Sequence, residues 1–423
     1  MIRILKNKTL LLGITGSIAA FKAAGLASQL TQAGAAVDVV MTREATQFVG
    51  PLTFESLTHR HVVTDVMALL PDSTIGHVAM AKRAHIFVIA PATAHTIAKI
   101  AHGLADDAVS ATALDTRAPL VIAPAMETGM WENAVTQENV AKLVARGAVV
   151  VEPGIGRLAS GASGKGRMAD VDDIVDTIRA VLGRGGDLAN RKIVVTAGGT
   201  QEPIDPVRVI ANHSSGKMGF ALAEGARDRG ARVTLIAGVH SQRVPRGIEL
   251  VEATSACEMR DAVLREIADA DALIMAAAVA DFRPAQQAEH KIKKGQAETI
   301  ALELVRNPDI LAKVAERRKK GNKVEDPAIS PALAGGARVS GGNGRNLVVI
   351  GFAAETNDLL ANARAKLEAK NLDLIVANPV PQSFGNDLDQ ATLIERGGAV
   401  TELPPMPKEE LAEKILDFVN TLR

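Results

Sequence analysis

Cation, amide, hydroxyl and flexible backbone are concentrated in one run, Val207 to Ala221, which reads V-R-V-I-A-N-H-S-S-G-K-M-G-F-A. The run leads into a helical pattern and follows an apolar strand, Ile193 to Val195, and a Gly-rich turn, Thr196 to Thr200. Backbone N–H groups and a helix N-terminus can then converge on an anion such as phosphate. The bland alternative is a polar loop in which Ser214 and Ser215 cap the helix. The length of the run favours the anion site.

A second Gly-rich turn, G-I-T-G-S-I at Gly13 to Ile18, follows the first apolar segment. A dinucleotide site would need a third glycine at its proper spacing and an acid at the end of the next strand to hold a ribose hydroxyl. Neither is present: the segment ending at Met41 runs into Thr42-Arg43, and no such acid follows Ala237. Two phosphate cradles without that signature predict two mononucleotide-type ligands. Single residues are weaker signals. Lys291, Lys293 and Lys294 alone read as a solvated charge run, Asp281 before Phe282-Arg283-Pro284 as a turn, and Lys366 and Lys370, one helical turn apart, as surface. A lone His77 reads as a helix-terminal or core histidine.

The elements that must hold these residues alternate. Apolar runs of strand length, Thr9 to Ile14, Ala36 to Met41, His85 to Ala90, Pro119 to Ala123 and Ala148 to Val151, are separated by amphipathic stretches such as Ile18 to Ala33, Thr93 to Ile100 and Asn133 to Arg146. That pattern predicts parallel α/β structure with crossover helices. Residues 183–190, G-R-G-G-D-L-A-N, break the periodicity and predict a linker between a domain at 1–182 and one at 191–423. Beyond it, strands are expected near Ile193, Arg232 to Ala237, Ala272 to Ala276, Leu347 to Gly351 and Leu374 to Ala377. The fold class is therefore α/β, with two doubly wound Rossmann-like domains. A motif G-A-x-V before a strand occurs at Gly34 to Val37 and again at Gly230 to Val233, an echo of architecture rather than a duplication. Residues 318–346 are polar and Gly-rich and predict a mobile loop.

The 423 residues carry 48 Lys plus Arg against 48 Asp plus Glu, which leaves no long-range field to recruit nucleic acid or an anionic membrane. Aromatics make up 2%, with no Tyr and one Trp, so base stacking is poorly served. The single Cys257 excludes an internal disulfide, and no Cys/His cluster has zinc spacing; both fit a reducing cytoplasm. Leu10-Leu11-Leu12 follows basic residues but is too short for a membrane span and reads as the first strand.

In order along the second half, T-A-G-G-T-Q-E-P-I-D-P-V-R, N-H-S-S-G-K-M-G, A-A-A-V-A-D-F-R-P, K-I-K-K, N-P-D-I and G-F-A-A-E-T-N resemble a bifunctional coenzyme A biosynthesis family, in which phosphopantothenoylcysteine decarboxylase is joined to phosphopantothenate–cysteine ligase. The resemblance runs from about Leu10 to the C-terminus and implies a flavodoxin-like flavoprotein domain followed by a ligase domain. It implies that CTP activates the carboxylate of 4′-phosphopantothenate as an acyl-cytidylate, which the amine of cysteine attacks. By the same resemblance Arg208 and Asn212 hold the acyl-cytidylate, and Lys291 neutralises charge on the triphosphate. Met275, Ala276, Ala277, Asp281, Pro308, Asp309, Ile310, Leu311 and Phe352 match CTP-binding segments, with Lys366 and Lys370 adding contacts from a helix. Mg²⁺ is expected with the triphosphate, its protein ligands unspecified.

In the first half, G-S-I-A-A-F-K, I-G-H-V-A-M-A, A-P-A-T-A-H-T and P-A-M-x-x-x-M-W resemble flavin-dependent cysteine decarboxylases, whose flavin is FMN. Gly16, Ser17, Ile18 and Thr42 then meet the phosphate side of FMN. Pro91, Ala92, Thr93 and Ala94 lie by the flavin at a subunit contact, and His77 is the active-site base. The implied substrate is 4′-phosphopantothenoylcysteine. Hydride leaves its sulfur-bearing carbon, the resulting C=S accepts the electrons released with carbon dioxide, and hydride and a proton return to give 4′-phosphopantetheine.

The chain departs from that family's pattern at two positions. Glu127 stands where P-A-M-N-x-x-M-W places Asn, and Ser160 where L-A-C-G places a proton-donating Cys. An ionised Glu127 repels a substrate carboxylate, whereas a protonated one hydrogen-bonds it or donates a proton. Ser160 is a far weaker acid than a thiol of pKa about 8.5. The flanking flap persists as P-G-I-G-R-L-A-S-G-A-S-G-K-G-R-M, which favours an active variant with Glu127 or a water taking over a role. The alternative is an active ligase attached to a flavin-binding scaffold for oligomerisation or regulation. The resemblance further implies a homo-oligomer, up to a dodecamer with dimeric ligase contacts, acting on small molecules and on neither nucleic acid nor membrane.

Overall fold

A computed structural model describes residues 3–293, 299–319, 347–355, 358–379 and 388–421. Two compact units, Met1–Arg184 and Gly185–Arg423, each carry their own sheet.

In the first unit six parallel strands, β1 (Thr9–Ile14), β2 (Ala36–Met41), β3 (Val62–Val63), β4 (Ile86–Ala92), β5 (Leu120–Pro124) and β6 (Val149–Val150), lie in the order β3-β2-β1-β4-β5-β6. Strand side chains alternate between two covered faces, which is why β1 and β4 read as unbroken apolar runs. Leu10, Leu12 and Ile14 pack with Ala23, Leu26 and Leu30 of the helix Ala20–Gln32. Leu11 turns to the other face, with Met80, Phe87 and Val109. Each fully buried Leu contributes about 1.5–3 kcal/mol. The order reverses between β1 and β4, so a crevice opens at their carboxyl ends. Strand β4 continues past the expected Ala90 through Pro91 and Ala92, with a cis Ala90–Pro91 peptide. The Gly-rich flap is an antiparallel hairpin of β7 (Gly154–Arg157) and β8 (Ser163–Arg167).

In the second unit eight strands form the order β13-β12-β9-β14-β17-β18-β19-β20. Their ranges are β9 (Lys192–Ala197), β12 (Arg232–Ala237), β13 (Glu249–Glu252), β14 (Ala272–Met275), β17 (Val348–Glu355), β18 (Leu374–Pro379), β19 (Leu388–Glu395) and β20 (Val400–Pro407). Two ribbons, β10 (Gln201–Pro203) with β11 (Val209–Ala211) and β15 (Phe282–Pro284) with β16 (Leu304–Arg306), lie outside the sheet. The order again reverses at the first strand, between β9 and β14. Strands β19 and β20 are antiparallel additions that no apolar run predicts, because burial in β19 alternates along the strand.

The repeated G-A-x-V has a common cause: Gly34 (φ +98°) and Gly230 (φ +88°) both adopt the left-handed conformation that turns a helix end back into a strand. Within the stretch read as a linker, Leu188 is fully buried in the second core and its N–H donates to the Arg229 carbonyl at 2.9 Å. Arg318 and Lys319, at the start of the expected 318–346 loop, belong to the helix Ile310–Lys319. Arg318 anchors that end by donating to the Asn371 carbonyl and the Asp373 carboxylate. The remainder of that loop, 320–346, lies outside the described residues, as do Lys294 of K-I-K-K and Thr356 and Asn357 of G-F-A-A-E-T-N. Among the described residues no helix is long and apolar enough to cross a membrane.

Candidate active sites

At the first crevice a buried threonine ties the strand ends together. Thr15 Oγ1 donates to the Pro91 carbonyl at 2.7 Å and accepts from the Thr93 N–H at 3.0 Å, so the Gly16–Ser17–Ile18 turn and the Pro91–Ala94 segment share one frame. Ser17 N–H folds back to the Thr15 carbonyl at 2.8 Å. Thr42 closes the side of the cradle: its N–H donates to Ile14 O at 3.0 Å, and its hydroxyl accepts from Ala45 N–H at 3.3 Å. Gly16 is required by close approach, since a Cβ there would lie 2.5 Å from Glu44 Cβ. The helix that follows opens in a tight local turn: Ala19 N–H donates to Ser17 Oγ at 3.2 Å, Ala20 N–H to Ser17 O at 2.9 Å and Lys22 N–H to Ala19 O at 3.0 Å. Helix dipole, hydroxyls and tight backbone fit a phosphate-bearing group such as that of a flavin mononucleotide.

His77 lies in the first turn of the helix Gly76–Arg83, with Nδ1 3.0 Å from the Val66 carbonyl. A carbonyl only accepts, so the neutral ring carries its hydrogen on Nδ1 and leaves the Nε2 lone pair available as a base. Glu127 immediately precedes the short helix Thr128–Trp131. The hairpin is pressed onto this point. Met126 N–H donates to Gly166 O at 3.0 Å, and a Cβ on Gly166 or Gly164 would overlap Met126 O or Thr128 Oγ1. At the hairpin tip the Ser160 hydroxyl donates to Glu127 Oε2 at 3.0 Å. The two departures from the family pattern are therefore partners.

In the second unit the Val207–Ala221 run is anchored at three places. Arg208 Nε and Nη2 both donate to Asp205 Oδ2, and Nη2 also donates to the Ile292 carbonyl at 3.0 Å, which sets Arg208 beside Lys291. Asn212 Nδ2 donates to Val279 O at 3.1 Å, linking the run to the segment after β14. Gly216, left-handed at φ +78°, starts the helix Lys217–Asp228 with no side-chain cap. The capping alternative is not realised: Ser214 Oγ accepts from Gly216 N–H instead of reaching the helix. Thr196 Oγ1 accepts from Ala277 N–H at 3.1 Å, which fixes the Met275–Ala276–Ala277 segment against β9.

The CTP-type segments connect in a chain of contacts. Asn307 N–H donates to the Asp281 carbonyl at 2.8 Å and its amide to Ala280 O at 2.8 Å, so Pro308 follows directly from the Asp281 turn. Asp309 accepts from Ala312 N–H at 2.9 Å, which starts the helix that contains Ile310 and Leu311, and pairs with Lys370. Partial desolvation raises the Asp309 carboxyl, but the Lys370 ammonium, the Ala312 N–H and the charge of Lys366 together outweigh it and hold the group below its ordinary value. Lys366 Nζ donates to the Phe352 carbonyl at 2.9 Å. Asp281 and Lys291 are exposed. Among the described residues no group of three or more His, Cys, Asp or Glu could hold a metal ion.

Sequence reasoning assigned no role to Thr15, Asp205, Thr196 or Asn307, although all lie inside or beside the quoted motifs. A polar residue at the carboxyl end of an apolar strand, as at Thr15 and Thr196, is the signal that marks the first and third. A cavity of about 470 Å³ lies at the opposite end of the first sheet, beside Pro119 and Leu120, and none of the candidate residues line it.

Residues 3–183 match the family described as flavoprotein, and residues 188–325 and 337–422 match the DNA/pantothenate metabolism flavoprotein C-terminal domain. The chain is 44% identical over 425 residues to the coenzyme A biosynthesis bifunctional protein CoaBC of Mycobacterium bovis, covering 98% of this chain and 96% of that protein. It is 41% identical over 424 residues to CoaBC of Bacillus subtilis, covering 99% and 98%. The solved C-terminal domain of a CoaBC protein is 34% identical, covers 56% of this chain and 97% of that domain, and gives a TM-score of 0.43. With identity at this level over nearly the whole of both chains, the protein belongs to the family of bifunctional coenzyme A biosynthesis proteins.

Proposed function

We propose that the second unit ligates 4′-phosphopantothenate to cysteine through an acyl-cytidylate formed from CTP, and that the first decarboxylates the resulting 4′-phosphopantothenoylcysteine to 4′-phosphopantetheine with FMN. One observation carries this reading. In each unit the helix after the first strand begins behind a Gly-rich turn at the point where strand order reverses. Two helix N-termini at two switch points suit two phosphate-bearing ligands.

In the ligase, Arg208 and Asn212 bind the acyl-cytidylate, and the exposed Lys291 offsets charge on the leaving pyrophosphate. Lys366 and Lys370 face the nucleotide from the helix Leu359–Ala369 and its end. Mg²⁺ enters with the triphosphate, whose oxygens supply most of its coordination. In the decarboxylase His77 Nε2 takes the proton of the substrate thiol, and the Glu127–Ser160 pair covers the carboxylate end beneath the hairpin. FMN, when bound, supplies a reversible hydride acceptor next to Pro91–Ala94. Exposed Ile18, Phe21, Phe48 and Leu52 on segments flanking the cradle support a second copy covering this end in a homo-oligomer.

Incubation with 4′-phosphopantothenate, cysteine, CTP and Mg²⁺, followed by mass spectrometry, tests both halves. Pyrophosphate, carbon dioxide and 4′-phosphopantetheine are expected in sequence. Absence of pyrophosphate overturns the ligase reading; ligated product without carbon dioxide from FMN-loaded protein replaces the decarboxylase by a flavin-binding scaffold. Asn212→Ala is expected to release pyrophosphate while transfer to cysteine fails.

A further inference from the structure

Asp205 is wholly buried at its side chain, yet it lies in a turn whose neighbours Pro206, Val207 and Arg208 are exposed. All of its acceptor capacity is used, and it is used on two separate segments. Oδ1 accepts from the Val207 and Arg208 N–H groups at 2.8 Å each, shaping the turn. Oδ2 accepts from Arg208 Nε at 3.0 Å and Nη2 at 2.5 Å, and also from the Ile292 N–H at 3.1 Å. Arg208 Nη2 returns to the Ile292 carbonyl at 3.0 Å, closing a ring of three residues. A second tie, from Ala288 N–H to Ile204 O at 2.9 Å, brackets the same junction.

We propose that Asp205 is a positioning residue that locks the Arg208 turn and the Lys291-bearing segment together, so that the two cations reach the nucleotide as one preorganised unit. It touches no reacting atom. Its carboxylate orients a guanidinium whose remaining N–H groups stay half-exposed for a ligand, and its hold on the Ile292 backbone fixes the direction from which the neighbouring Lys291 projects. The Arg208 hydrogen bond holds the Asp205 carboxyl well below the ordinary range, so the lock stays ionised at any pH where a ligase would be assayed. An amide cannot substitute. If its oxygen faces Val207 and Arg208 N–H, its NH₂ confronts Arg208 Nη2 and Ile292 N–H, donor against donor.

The inference rests on the ligase reading, and two variants of the full chain test it by two measurements. Asp205→Asn breaks the ring at its centre; Ile292→Pro removes one donor and leaves the Asp205–Arg208 pair intact. In the free protein, amide hydrogen exchange is expected to rise in both 204–209 and 288–293 for Asp205→Asn, but only in 288–293 for Ile292→Pro. With 4′-phosphopantothenate, CTP and Mg²⁺ but no cysteine, pyrophosphate release by Asp205→Asn is expected to lose about tenfold or more in kcat/KM, with decarboxylation of supplied 4′-phosphopantothenoylcysteine unchanged. Ile292→Pro is expected to lose less, through KM. Exchange at 288–293 that ignores Asp205→Asn, or wild-type pyrophosphate release, overturns the proposal. Should the wild-type protein release no pyrophosphate, the ligase reading falls, while the exchange result still decides whether Asp205 couples the two segments.

Discussion

Ser160 donates to Glu127 Oε2 across 3.0 Å, from the tip of a hairpin whose glycines let it lie directly on the Met126–Thr128 backbone. A hydroxyl that donates to a carboxylate is a poor acid by itself; it relays a proton outward only by turning, so that it accepts from a protonated carboxyl group and donates to the substrate. The pair thus accounts for how a chain without the family's cysteine could complete a reaction that ends with a proton on carbon. Ser160→Ala is expected to leave carbon dioxide release intact while 4′-phosphopantetheine formation drops about 10²-fold, the share of one general acid. Mass analysis should then find the enethiol accumulating. Equal yields of the two products in Ser160→Ala would place the proton path elsewhere.

His77 offers a complementary test. The Val66 carbonyl fixes its tautomer, so replacing His77 by Asn retains a hydrogen-bond donor toward Val66 and deletes only the basic nitrogen. Carbon dioxide release is expected to fall about 10²- to 10⁴-fold with the visible flavin absorbance undiminished. A variant that also loses its flavin would point to a role in binding.

What was legible in the sequence was what local chemistry determines. The alternation of apolar runs sufficed for the central parallel strands of both sheets, because strands buried on two faces have no polar positions to blur them. Strands β19 and β20 escaped because burial alternates along β19 and β20 is exposed over most of its length, so neither carries a run of apolar residues. At the sites, Arg208, Asn212 and Lys291 stood out as charged or amide residues in ordered motifs. Asp205 did not, since its value depends on the Ile292 N–H, 87 positions away, which only the folded chain brings to it. The serines at 214 and 215 have the composition of a cap, the alternative that the length of the run weighed against, and a left-handed Gly216 takes the cap position.

Asp309 and Lys370 give a prediction with a sign. Asp309 has a folded-state pKa below its ordinary value, so the stability it contributes is complete above the ordinary carboxylate range and is lost as pH falls through the lower, folded value. Lys370→Ala removes the ammonium but leaves the partial desolvation, which raises the carboxyl. Melting temperatures recorded from about pH 6 down to about pH 3 should therefore start lower in the variant and fall less steeply than in the parent, so that the two curves converge toward acid. Curves that coincide over the whole range would mean that the pair adds nothing to the folded state.

The same glycine-to-alanine change should have opposite effects in the two units. Gly219 lies in the helix Lys217–Asp228, where a Cβ would stand 2.5 Å from Ala197 Cβ and 2.8 Å from the Thr196 carbonyl. Neither neighbour can yield, because both belong to the central strand β9. Gly219→Ala should therefore destabilise the second unit by about 1–3 kcal/mol through overpacking, despite alanine's better helix propensity. It should also push the bare N-terminus of that helix away from the switch point and depress ligase turnover. Gly25 sits in the equivalent helix of the first unit, Ala20–Gln32, with nothing within 4 Å of where a methyl carbon would stand. There the propensity gain is unopposed, and Gly25→Ala should stabilise by about 0.5–1 kcal/mol. Calorimetry that resolves the two units decides the matter. A neutral Gly219→Ala would mean that the helix can lift off β9, and that something other than this close packing aims its N-terminus at the ligand.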